Sequence, residues 1–109
     1  MSESLASELL PHTSAEIAVG KHRLRYLDVG SGDEVILCVH GNPTWSFYWR
    51  RVVERFSSSR RVIAIDHLGC GRSDKPTRSE FDYRLGSHRD NLIALIDHLD
   101  LSRITLLAH

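Results

Sequence analysis

The chain has few cysteines (2), few prolines (3), no excess charge of either sign and no apolar run approaching membrane-spanning length. Each shortage excludes a class of protein. Cys38 sits in an apolar run and Cys70 in a glycine-rich turn, and two thiols so placed make neither a disulfide framework nor a metal-ligand pattern. Both read as free thiols in a reducing compartment. Fourteen basic residues balance fourteen acidic ones, which leaves no electrostatic footprint for nucleic acid or an anionic membrane and makes a small molecule the expected partner. Residues 1–12 lack the basic and apolar regions of a signal peptide, so a soluble, cytoplasmic protein is expected. There is no internal repeat, low-complexity tract or interdomain linker, and 41% hydrophobic with 26% charged residues is ordinary for one globular unit.

The stretch that is most informative is Ile36-Leu37-Cys38-Val39-His40-Gly41-Asn42-Pro43-Thr44-Trp45. A short apolar run, closed abruptly by a glycine and a proline, fits a strand of a parallel sheet buried on both faces. In open α/β sheets ligands bind outside the carboxyl ends of the strands, which puts residues 40–45 where chemistry is expected. Gly41 permits close backbone approach and Pro43 stiffens the turn, so the loop is suited to holding the Asn42 amide still beside a helix start, as an anion-stabilising device. The alternative is that Asn42 merely caps the helix beginning near Trp45. In that helix Trp45, Trp49, Val52, Val53 and Phe56 recur at helical spacing, as one apolar face.

The rest of the chain alternates strand and helix. Residues 1–14 carry a weak helical pattern interrupted by Pro11 and are expected to be a mobile arm. Residues 17–19 and 24–29 flank Gly20-Lys21-His22 as an antiparallel hairpin. A strand is expected at 35–39 as the centre of the sheet, a helix at 45–56, a strand at 61–65, a helix at 85–99 and a strand from 103 to 108, with 35–39 and 61–65 joined by a parallel crossover. The second helix is expected to set Leu85, Leu92, Leu95, Ile96 and Leu99 on one face, with Ser87 and Asp90 as a capping box. The last strand, Ile104-Thr105-Leu106-Leu107-Ala108, is apolar enough to call for burial on both faces. Between them, Asp66 to Pro76 is a turn-rich stretch in which Asp66 and Asp74 are expected to hydrogen-bond nearby backbone N–H groups.

Three separated motifs resemble one family. They are Val39-His40-Gly41-Asn42-Pro43-Thr44-Trp45-Ser46-Phe47-Tyr48-Trp49-Arg50, Asp66-His67-Leu68-Gly69-Cys70-Gly71-Arg72-Ser73-Asp74-Lys75-Pro76, and Ile104-Thr105-Leu106-Leu107-Ala108-His109. They are similar to the oxyanion loop, the glycine-rich loop after strand four and the strand leading to the nucleophile elbow of the α/β-hydrolase superfamily, in the branch of the haloalkane dehalogenases and related β-lactone decarboxylases. The resemblance implies that residues 15–109 are a partial α/β-hydrolase core, strands one to five. It has a mostly parallel sheet, flanking helices and an N-terminal antiparallel hairpin, and stops before the nucleophile elbow, with the cap domain and C-terminal half absent.

The resemblance also implies a chemistry. A carboxylate nucleophile, expected immediately after His109, displaces a leaving group from carbon, and histidine-activated water hydrolyses the ester so formed. By position Asn42 matches the halide- or oxyanion-contacting residue. His40, Gly41 and Pro43 would support its loop, Trp45 would either line the pocket or pack in the core, and His109 would be a buried supporting residue. Neither a metal nor a cofactor is implied, and the substrate would be small and apolar. The chain itself would be inactive for want of nucleophile, acid and catalytic histidine. An epoxide hydrolase, a serine esterase of the same fold, and a non-catalytic binding module remain open alternatives, and the oligomeric state is undetermined.

Overall fold

The computed structural model describes residues 3–109 and contains five strands and three helices among them. Strands β1 (Ala15–Val19) and β2 (His22–Val29) form the expected hairpin, turning at Gly20, whose φ of +60° is one that glycine adopts freely. Strand β3 (Val35–Val39) leads through a loop and a 3-10 turn, Ser46–Trp49, into helix α2 (Arg50–Phe56). Strand β4 (Arg61–Ile65), helix α3 (Leu85–His98) and strand β5 (Ile104–Ala108) follow, close to the boundaries expected from sequence.

The strands lie in the order β1-β2-β4-β3-β5. Pairing is antiparallel from β1 to β2 and from β2 to β4, and parallel between β4 and β3 and between β3 and β5. The middle position therefore belongs to β4, with β3 beside it. That corrects the expectation that 35–39 is the centre: β2 reaches past β3 to pair with β4, a long-range choice that local pattern does not encode.

Alternation along the strands divides the core. Ile36, Cys38, Val62 and Ala64 point to one face with Phe47, Trp49 and Val53, while Val35, Leu37, Ile63 and Ile65 point to the other with Leu68 and Leu95. One face is thus covered by α2 and the other by α3, giving three layers. Helix α1 (Glu3–Leu9) adds Ala6, and the residue after it adds Leu10, to the α2 face, both buried. Within the stretch read as a mobile arm, then, these two small anchors pack on the core, while residues 1 and 2 of that stretch lie outside the described residues.

Three expectations about α3 and β5 need correction. Leu85 is 86% exposed, because it stands at the first turn of α3, beyond the reach of the sheet that buries Leu95. Ser87 is not a cap: Asp82 receives both the Arg84 N–H at 3.0 Å and the Ser87 hydroxyl at 2.6 Å, so the acid before the helix ties its start. Strand β5 stands at the sheet edge and is largely exposed, with Leu106 at 57%, since no described element covers it.

Candidate functional site

The carboxyl ends of β3, β4 and β5 and the start of α3 surround a cleft of about 570 Å³. Gly41, Asn42 and His109 line one side, His67 and Cys70 another, and Tyr83, Leu85 and His88 the third. Its position outside the strand ends is the one expected of an α/β ligand site.

The loop after β3 is fixed from within. His40 is buried, and its Nε2 accepts the His67 backbone N–H at 3.0 Å. An accepting Nε2 puts the ring proton on Nδ1, which donates to the Gly41 carbonyl at 2.8 Å. The same carbonyl accepts from the Thr44 N–H at 3.1 Å and the Thr44 hydroxyl at 2.8 Å. His40 is thus a neutral ring with both nitrogens engaged in holding the turn. Asn42 and Pro43 form the exposed tip, joined by a cis peptide bond. Among the described residues the Asn42 side chain has no hydrogen-bond partner, so its amide is available at the cleft.

The cap alternative for Asn42 does not hold. The residue before the 3-10 turn is Trp45, without a side-chain cap, and the first free N–H, that of Ser46, donates to Asp66 Oδ1 at 2.6 Å. Asp66 is buried at 1% exposure and its Oδ2 accepts the Arg72 N–H at 3.1 Å. The aspartate read as a turn residue therefore bonds backbone N–H groups, one of them on a different loop.

The other expected residues fall on both sides of the division between site and core. Trp45 is half-buried, stacks on Phe47 with ring centroids 5.6 Å apart and lies under the Arg72 guanidinium at 5.4 Å. It packs against the core and is not among the cleft-lining residues. His109 donates its N–H to the Val39 carbonyl at 3.1 Å and its ring faces Tyr48 at 4.5 Å. It is exposed where a buried residue was expected, because it ends the uncovered edge strand.

Sequence reasoning missed a ladder of imidazoles. The His40 and His67 rings are 4.5 Å apart, and the His67 and His88 rings 4.9 Å. Burial, with the neighbouring His40 and His88, lowers the His67 pKa to about 4, and burial with His40 lowers His88. Both are neutral at pH 7, and the Nδ1 atoms of both are buried without partners. The signal available in sequence was only that a histidine stands just past β3, just past β4 and in the first turn of α3.

Neither thiol is built as a nucleophile. Burial pushes Cys38 up to about 12 and raises Cys70, whose thiol is also opposed by Asp66. Among the described residues no group of three or more His, Cys, Asp or Glu side chains is placed to hold a metal ion. Nor is any described helix long and apolar enough to cross a membrane. What the cleft offers is a free amide on a braced loop, among mostly apolar side chains, with one cation, Arg89, in the lining. That suits the stabilisation of an anion, and once the cleft is covered from water such a donor is worth more than in solution.

Comparison with known proteins agrees with this geometry. The family profile described as the alpha/beta hydrolase fold matches residues 34–109. A cis-3-alkyl-4-alkyloxetan-2-one decarboxylase of Shewanella oneidensis is 42% identical over 102 residues, which cover 93% of this chain and 32% of the relative. Haloalkane dehalogenase 2 of Mycobacterium bovis is 38% identical over 96 residues, covering 88% of this chain and 32% of the relative. Among solved structures, a tetrameric haloalkane dehalogenase from Paraglaciecola agarilytica superposes with a TM-score of 0.84 at 38% identity, over 90% of this chain and 35% of that one. The chain spans about a third of the length of the relatives it matches. With that profile matching residues 34–109 and the solved dehalogenase superposing over 90% of the chain, the chain belongs to the α/β-hydrolase fold family.

Proposed function

We propose that this chain is the N-terminal third of a haloalkane dehalogenase-like hydrolase, in which Asn42 donates a hydrogen bond to the departing halide or developing oxyanion. The observation that carries the reading is the free Asn42 amide at the end of β3, next to the end of β5. In the complete enzyme an aspartate immediately after His109 attacks the substrate carbon, and the halide leaves with the bonding electron pair. Water then adds to the resulting ester and restores the carboxylate, releasing the alcohol. His40, Gly41 and Pro43 hold the loop, the substrate is small and apolar, and no cofactor takes part. The likeness to oxetanone decarboxylases favours one second reading, in which the same amide steadies the oxygen of a β-lactone. Two free thiols, Cys38 and Cys70, are in keeping with a cytoplasmic setting.

The test is Asn42→Ala in the full-length hydrolase, followed by single-turnover rate and thermal midpoint. Loss of such a donor costs about 3 kcal/mol of transition-state stabilisation, or roughly two to three powers of ten in rate. The midpoint should stay within about 0.5 kcal/mol equivalent of the parent, because an exposed side chain with no partner contributes little to folding. An unchanged rate would remove Asn42 from the mechanism.

A further inference from the structure

We infer that Asp66 is a positioning residue for the anion-binding loop, setting the place of the Asn42 amide without touching the substrate itself. The inference rests on the reading of Asn42 given above. It starts from an asymmetry: the loop of residues 41–45 is held at both ends by two consecutive residues at the end of β4. At the first end His67 gives its N–H to His40, whose other nitrogen holds the Gly41 carbonyl. At the second end Asp66 Oδ1 takes the Ser46 N–H. Asn42 lies between the two braces and has none of its own.

Asp66 is itself held in place by its surroundings. Its second oxygen accepts the Arg72 N–H, and its backbone carbonyl accepts the Ser73 hydroxyl at 2.6 Å. That hydroxyl in turn accepts the Arg25 N–H at 2.7 Å, which ties the assembly to β2. Gly71 lies so close that a Cβ there would sit 2.6 Å from the Asp66 carboxyl group. A buried carboxylate clamped this way transmits the position of the sheet to the start of the 3-10 turn, and thence to the loop. If Asp66 only stabilised the fold, its removal would lower stability and leave the rate per folded molecule intact. If it positions Asn42, its removal slows the chemical step, and only while Asn42 is there to be misplaced.

The deciding experiment is a double-mutant cycle in the full-length hydrolase, using single-turnover halide release from a primary bromoalkane. Asp66→Asn, which leaves one accepting oxygen and turns an N–H₂ toward a backbone donor, should slow release by about ten- to a hundredfold, as small misplacements of a catalytic group do. In the Asn42→Ala background the same change should have no further effect. With Ser46→Ala as the control for the lost hydroxyl, Ser46→Pro provides the second variant, since proline is tolerated at the first helical position and removes the N–H that Asp66 accepts. It should reproduce the slowing and the loss of effect in the Asn42→Ala background. Equal factors in both backgrounds, or an Asp66→Asn enzyme as fast as the parent, would overturn the positioning role while leaving Asn42 in place. A full rate for Asn42→Ala would overturn both readings together.

Discussion

The carbonyl oxygen of His109 lies 2.8 Å from where a Cβ on Gly41 would stand, so the end of β5 occupies the space that a side chain in the loop after β3 would need. The Nδ1 atom of the His109 ring crowds the same place at 3.3 Å. Gly41→Ala should therefore destabilise the full-length hydrolase by about 1–3 kcal/mol, the usual cost of overpacking, read as a lower denaturant midpoint. Gly86→Ala gives the contrast. Its nearest neighbour would be the Arg89 guanidinium at 3.7 Å, and inside the first turn of α3 alanine should stabilise by up to about 1 kcal/mol. A neutral Gly41→Ala would mean that β3 and β5 do not meet as closely as the geometry requires.

His67 makes the fold sensitive to acid. Burial moves its pKa from the ordinary 6.5 to about 4, so between those values the unfolded chain holds a proton that the folded chain does not. Stability is then full above about pH 6.5 and declines as the pH falls toward 4. His88, lowered for the same reason, adds to the decline, with Asp82 opposing it. Replacement of His67 by phenylalanine should flatten the stability profile over that range, and an NMR titration of the His67 ring should give a midpoint well below 6.5. A midpoint at the ordinary value would show the ring to be solvated.

Strand β5 bears on the behaviour of the chain by itself. Its outer edge is unpaired among the described residues and Leu106 is more than half exposed. Produced as 109 residues, the protein is expected to associate or to bind a hydrophobic dye as a partly folded state, checked by dye fluorescence and light scattering. A monomer with a sharp cooperative melt is the contrary result.

The same 109-residue product should release no halide from a bromoalkane above the rate of buffer alone. An amide that steadies a leaving group accelerates nothing unless a nucleophile expels that group. Halide release proportional to protein, and persisting through repurification, would contradict this.

What could be read from sequence was whatever depends on neighbours along the chain. The strands at 35–39 and 61–65 announced themselves by apolar runs, and the face of Trp49, Val53 and Phe56 by helical spacing. The Asn42 loop was legible because glycine, amide and proline are adjacent. Long-range choices were not. Asp66 meets Ser46 across twenty positions, and the imidazole ladder joins three separate elements. Leu85 was placed on the buried face by its period, yet the helix begins beyond the edge of the layer it packs on, and periodicity carries no information about where a sheet ends. Ala6 and Leu10 were hidden by a weak pattern and a following proline, although two contacts are enough to dock a short helix.

The strand order also has a consequence in time. Val35 pairs with Arg61 on one side and with Ile104 on the other, so β3 acquires its two neighbours from widely separated parts of the chain. On a ribosome the hairpin and β4 emerge while the partner on the far side of β3 is still unmade. At about 5–20 residues per second, that side of β3 stays open for roughly a few seconds, long compared with the microseconds in which a hairpin closes. In that interval Val35 to Val39 present an unsatisfied row of N–H and C=O groups to whatever is nearby. The residues that later hold the Asn42 loop thus emerge beside the segment most exposed to mispairing, and a chaperone acting before β5 appears would have β3 as its natural client.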